Sequence, residues 1–204
     1  WCFGVNTKIE PILIYKGKTM IGTSGITSAG FRGFVEGVRA PVIMQILPAL
    51  NVGGVEQGVI DINAAIVASG GHSIVVSSGG TRVRDITKAG GVHITLPVDS
   101  KNPLTIALNI NRLRKIIRDY NVDVVHACSR APAWSAGRAV QGTSARYITS
   151  CHAAHKVTGA LKKLYNSSVT KGERVITVSH FLADYLEETY HVPPEKIRVI
   201  HRGV

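Results

Sequence analysis

The chain has 204 residues, 45% of them hydrophobic and 21 of them glycine, enough for one domain with a full core and many tight connections. Its 24 basic and 13 acidic residues leave a net charge of +11, which favours anionic partners: nucleotides, phospholipid headgroups, phosphorylated glycolipids or nucleic acid. Three cysteines without a CxxC pair argue against a disulfide framework and fit a reducing, cytoplasmic compartment; no apolar run approaches the ~20 residues of a membrane span, and no secretory signal is legible.

Residues 1–40 show no sustained period and include the Gly/Ser/Thr-rich "GTSGITSAGFRGF", which reads as an irregular tail or linker. Met20 is a candidate start, which would leave residues 1–19 outside the native product. From residue 41 short β-rich runs alternate with helix-period segments. The strands expected are 41–47, 72–78, 92–97, 122–127, 145–150, 174–179 and 197–201. Several are apolar on both faces, as parallel strands covered by helices are. Val55, Val59, Ile62 and Ile66 fall at helical spacing before Gly70 and Gly71, and Ile106, Ile110, Leu113, Ile117 and Tyr120 repeat it. Ser129 and Ser179 each stand where a serine caps a helix. This alternation predicts an α/β, Rossmann-like doubly wound sheet, mainly parallel, with right-handed crossovers. Ligands bind such sheets at the carboxyl ends of the strands, near the reversal of strand order. That rule selects the loops 48–55, 126–134 and 151–158.

The first of these loops carries "ALNVGGVEQG", a glycine pair between strand and helix where backbone can approach a phosphate. Gly53, Gly54 and Gly58 give G-G-x-x-x-G instead of the dinucleotide G-x-G-x-x-G. Ser77 and Ser78 stand where an acid would hold the ribose. Arg82 and Arg84 could accept a 2′-phosphate, so an NADP-dependent oxidoreductase is one alternative. His126, Cys128, Cys151, His152 and His155 could converge on a metal if their strands are neighbours, but no structural-zinc pattern has this form. His126 and His152 fit better as neutral imidazoles bonding a sugar or phosphate oxygen; the competing reading is a histidine satisfied by backbone at a strand end. Lys156, Lys162, Lys163 and Lys171 surround an apolar side of Val157, Leu161 and Leu164, and Arg112, Arg114, Lys115 and Arg118 decorate another helix. Such faces suit an anionic bilayer, though a solvated outer face is the commoner case. A basic α/β module binding nucleic acid or anionic membrane is therefore the non-enzyme alternative. No aromatic-interleaved basic strand of the single-strand-binding kind is present.

Together, "ILPALNVGGVEQGVIDINAAIVASGGHSIVVSSGG", "VDVVHACSRAPAWSAGRAV", "YITSCHAAHK" and "RVITVSHFLADYLEETYHVPPEKIRVIHRGV" resemble the amino-terminal domain of family 4 glycosyltransferases. These are retaining, nucleotide-sugar-dependent enzymes of GT-B fold, and the resemblance is nearest to bacterial enzymes of lipopolysaccharide and envelope-glycan synthesis. It implies that residues 41–204 form the acceptor-binding half. Gly53, Gly54 and Glu56 would make the loop that closes on the donor diphosphate, and His126 and His152 would be the catalytic candidates facing the sugar. Arg130, Trp134, His155 and Lys156 would line the acceptor side. The partners implied are a nucleotide-sugar and a glycan or glycolipid acceptor, with peripheral contact to anionic membrane at the cytoplasmic face of the inner membrane and no nucleic acid. No cofactor or metal is required, the nucleotide-sugar being a co-substrate. The family's "NGV" stands here as Arg202, Gly203 and Val204, leading toward a carboxyl-terminal donor-binding domain that this chain lacks. Without that half, the chain is not expected to transfer sugar by itself.

Overall fold

A computed structural model describes residues 39–202 and two short strands before them, β1 (Ile14–Tyr15) and β2 (Lys18–Thr19). The chain divides into two compact units, 1–32 and 33–204. In the first, β1 pairs antiparallel with β2; the remainder of the tail expected over residues 1–40, and the start suggested at Met20, lie almost wholly outside the described residues.

The second unit is a single parallel sheet with helices on both faces. Its elements in chain order are β3 (Val42–Ile46), α1 (Gly54–Ala68), β4 (His72–Ser77), α2 (Val83–Lys88), β5 (Val92–Thr95), α3 (Pro103–Asp119) and β6 (Val124–Ala127). There follow α4 (Arg130–Ala139), β7 (Arg146–Cys151), α5 (Ala160–Asn166), a 3₁₀ turn (Ser167–Thr170), β8 (Arg174–Thr177), α6 (His180–Tyr190) and β9 (Ile197–Val199). All seven strands expected from the sequence are present. Their order is β5-β4-β3-β6-β7-β8-β9, every pair parallel, so the order reverses between β3 and β6 as in doubly wound folds.

Period-two alternation along β3 divides the core. Met44 and Ile46 face a large cluster with Leu113 and Ile117 of α3 and Ala133, Ala136 and Ala139 of α4. Leu47, beyond the strand, joins Val59 and Ile60 of α1 and Ile86 of α2 in a smaller cluster on the opposite face. Gln45 lies fully buried between these apolar neighbours and donates from Nε2 to the Val59 carbonyl at 3.2 Å, so a polar side chain fastens α1 to the central strand. Asn63 acts likewise, its Nδ2 donating to the Ile86 carbonyl at 3.2 Å.

These bonds rotate α1 from its expected orientation. The helix buries Val59, Ile60 and Asn63, and Ile62 turns toward solvent. Ser179 caps α6, its Oγ accepting from the Leu182 amide at 3.3 Å, whereas Ser129 at the start of α4 makes no side-chain capping bond. Asn102, with Pro103 after it, caps α3 by accepting from the Leu104 amide at 2.9 Å, the arrangement that satisfies an otherwise orphaned amide. The lysine-rich segment forms only a seven-residue helix, and its apolar side is not buried: Leu161 is 85% exposed and Leu164 56%. Among the described residues no helix is long and apolar enough to cross a membrane.

The turn after β4 fixes the roof of the site. Gly80 has φ +139°, and a Cβ there would overlap the Leu50 carbonyl, so the loop after β3 and the loop after β4 pack backbone to backbone. Gly80→Ala is expected to cost about 3 kcal/mol through left-handed strain and overlap, read as a lowered urea midpoint; a change below about 0.5 kcal/mol would contradict this packing.

Candidate functional site

The reversal of strand order places the loops after β3 and β6 side by side, and the structure sorts the expected site residues onto the two faces of the sheet. On the α1 face stand Gly53, Gly54, Glu56, His126 and His152. On the α4 face stand Arg130, Trp134, His155 and Lys156.

Gly53 is the N-cap of α1 in fully extended conformation, and the Glu56 side chain folds back so closely that a Cβ on Gly53 would overlap its carboxylate. Gly54 has nothing near the space its Cβ would occupy, so the first turn of α1 is open on that side. Gly58, the displaced third glycine, has a different neighbour: its missing Cβ leaves room for the Arg202 guanidinium, which donates to the Gly54 carbonyl. Arg202 was not among the site residues expected from sequence. The only signal for it was a glycine that fits no dinucleotide pattern.

His126 is the register partner of Gln45 across the β3–β6 pair and is 5% exposed. Its Nε2 lies 2.5 Å from Ser150 Oγ on the neighbouring strand β7. Burial, then the neighbouring His152, then Arg202 push its pKa from 6.5 down to about 4. His152 follows β7 on the same face, and burial and Arg202 lower it to about 4 as well. Both imidazoles are therefore neutral at neutral pH. They differ in what remains free: His126 is engaged with Ser150, whereas Nε2 of His152 is buried and has no hydrogen-bond partner among the described residues. A group so placed can accept or donate one bond to a ligand hydroxyl.

The other face holds a cleft of about 640 Å³ between the start of α3, α4 and α5. All four residues expected on the acceptor side line it. Trp134 stacks on Tyr165 with ring centroids 6.5 Å apart and planes 21° from parallel, its Nε1 donating to the Tyr165 carbonyl at 3.2 Å. Arg130 donates to Asn166 Oδ1 at 2.7 Å and lies 5.8 Å from the Tyr165 ring centre. The His155 backbone is pinned by Tyr185, whose hydroxyl donates to the His155 carbonyl at 2.7 Å.

Two alternatives lose their geometric footing. The five thiols and imidazoles do not gather: His126, Cys128 and His152 lie on the α1 face, Cys151 and His155 on the other, and among the described residues no three such side chains form a metal-sized group. For the dinucleotide reading, Arg82 is already tied to Asp85 at 2.8 Å and to Gln57 at 2.8 Å, while the Ser77 hydroxyl is bonded to His93 and that of Ser78 to the Pro48 carbonyl.

Residues 52–204 match the model of Glycosyltransferase Family 4. The chain belongs to this family. A crystal structure of a glycosyltransferase from Rickettsia africae ESF-5 is similar over 82% of this chain and 44% of its own, at 41% identity and a TM-score of 0.72. Anabaena Alr3699/HepE in complex with UDP (12% identity, TM-score 0.61) covers 80% of this chain and 44% of its own. The lipopolysaccharide outer core galactosyltransferase WaaB in its apo form (12% identity, TM-score 0.59) covers 80% of this chain and 46% of its own. At such identities the last two show the shared fold alone. The chain thus spans less than half the length of these structures. No curated protein matches the sequence.

The buried histidines of this family member set a pH dependence. The unfolded chain takes up protons near pH 6.5, which the folded state refuses until about 4, so stability is full above 6.5 and falls as pH drops between those values. For His126 the loss amounts to about 3 kcal/mol at the acid end. Denaturant unfolding from pH 7 to pH 4 should show this slope, reduced in His126→Gln, which keeps a polar partner for Ser150 without the titration. An unchanged slope in the variant would assign the titration to other groups.

Proposed function

We propose that this chain is the acceptor-side half of a retaining glycosyltransferase, which moves a sugar from a nucleotide-sugar to an envelope glycan or glycolipid. The observation that carries the reading is the pairing of an open glycine turn at the carboxyl end of β3 with His152, whose buried Nε2 is unpartnered. Backbone amides of the first turn of α1 and the Arg202 guanidinium suit the diphosphate of a donor, where negative charge grows as the glycosidic bond breaks. Neutral His152 suits a sugar hydroxyl beside the reacting carbon, and His126, engaged with Ser150, supports the wall behind it. Glu56 would swing off Gly53 as the diphosphate arrives, because two anions cannot share that helix start.

Retention follows from same-side displacement through an oxocarbenium-like transition state. The alternative of two successive inversions needs a carboxylate nucleophile on the opposite side of the sugar, and the only carboxylate of the expected site residues is Glu56, at the phosphate end. Donor and acceptor would meet across the β3–β6 edge, the acceptor entering from the Trp134 cleft. The exposed leucines and lysines of α5 would rest on anionic lipid at the cytoplasmic face of the inner membrane, as fits an envelope-glycan enzyme.

In the full-length protein, His152→Ala is expected to lower kcat by about 10²–10³-fold with its melting temperature nearly unchanged. His126→Ala should lower stability as well, since it leaves the buried Ser150 hydroxyl unpaired. If His152→Ala unfolds the protein to the same extent as it loses turnover, that histidine is structural and the reading fails at its centre.

A further inference from the structure

The cleft between α3, α4 and α5 carries more chemical information than an acceptor site needs. Four cations line it, Lys101, Arg130, Lys156 and Lys162, and among the described residues no carboxylate does. Among the described residues none of the four makes an ion pair, although elsewhere in this domain Arg39, Arg82, Lys115 and Arg146 are each paired with an acid. Concentrating unpaired like charges around one concavity costs self-repulsion, which an anionic ligand relieves. Their field is felt within the site: after burial, Arg130 and Lys162 are the groups that hold His155 below its ordinary pKa.

Arg130 is also organised for recognition. Asn166, itself 2% exposed, holds one guanidinium nitrogen at 2.7 Å, and the Tyr165 ring lies beneath the group. This leaves the remaining N–H donors of a planar fork directed by a fixed scaffold, the arrangement suited to bidentate contact with phosphate. Next to it, the stacked Trp134 and Tyr165 offer a flat apolar wall with polar edges, against which the C–H face of a sugar ring can pack. Leu161 lines the cleft and is 85% exposed.

The geometry points to an acceptor that carries a phosphate beside its sugar ring, with the phosphate held by Arg130, Lys156 and Lys162 and the ring against Trp134. This deepens the glycosyl-transfer reading and takes the word acceptor from it, but the binding chemistry stands on the cleft alone. The same chemistry is offered by a soluble sugar phosphate and by a lipid-linked one, and the exposed Leu161 beside the cations favours the second.

The test uses the full-length protein and three probes: glucose 1-phosphate, neutral methyl glucoside, and phosphatidylcholine vesicles displaying a prenyl-linked glucose phosphate. Calorimetry or vesicle flotation should give binding of the phosphate probes at least about tenfold tighter than the neutral sugar, weakening as salt rises. Lys156→Gln with Lys162→Gln changes two exposed side chains that make no ion pair among the described residues, and should cost about tenfold or more. Arg130→Gln should cost at least as much, with circular dichroism reporting on the fold. Tighter binding of the vesicles than of glucose 1-phosphate identifies the lipid-borne source, and equal binding identifies the soluble one; either supports the phosphate cleft. Equal affinity for methyl glucoside, or phosphate binding untouched by both sets of substitutions, overturns it. Phosphate binding without sugar transfer would sink the transferase reading and leave the cleft standing. Transfer to neutral and phosphorylated acceptors alike would do the reverse.

Discussion

The position of β3 between β4 and β6 constrains everything else in this domain. Crossovers leave β3 toward β4 on one side of the sheet and return to β6 on the other, so no connection covers the carboxyl end of β3 and a crevice is left there. Strand alternation then decides which side chains reach which flank. His126 and Ser150 point toward α1, while Ala127 and Cys151 point toward α4 and α3. A register slip of one residue in β6 would exchange His126 for Ala127 at the crevice.

Charge is distributed by the same geometry. On the α1 side two imidazoles are kept neutral, chiefly by burial, with His152 and then Arg202 adding to it at His126 and Arg202 at His152. On the α4 side the cations stand, among the described residues, without acids around an aromatic stack. The first flank offers backbone amides and one guanidinium to an anion together with an uncharged hydrogen-bonding group for a sugar. The second offers excess positive charge and an apolar wall. Proposed donor and acceptor chemistries thus enter from opposite faces of one sheet and meet at its edge.

Much of this was legible in the sequence because it depends on local pattern. Seven β-rich runs and the helical periods between them point to the parallel sheet, and the loops singled out by the rule that ligands sit at strand carboxyl ends follow β3, β6 and β7 at and beside the reversal of strand order. What escaped depends on contacts distant in the chain. Arg202 meets Gly54 and Gly58 across nearly the whole domain, and nothing in "RGV" announces that. The separate fates of His126 and His152 rest on Ser150, which sits two residues from one and twenty-four from the other. Ile62 shares the helical spacing of Val55, Val59 and Ile66 yet faces solvent, on a helix whose Val59 carbonyl and Asn63 side chain are held by the hydrogen bonds to Gln45 and Ile86. The lysine-rich segment forms a short helix whose leucines face solvent, in line with the outward basic face its composition suggests.

The central claim is that the β3–β6 crevice holds a nucleotide-sugar by its diphosphate. A crystal structure of the full-length protein with an unreactive nucleotide-sugar tests it most directly. The account predicts diphosphate density over Gly54 within hydrogen-bond reach of Arg202, with a sugar hydroxyl on Nε2 of His152 and Glu56 withdrawn from Gly53. Density for the diphosphate elsewhere, with Glu56 still folded over Gly53 and His152 unpartnered, would contradict it.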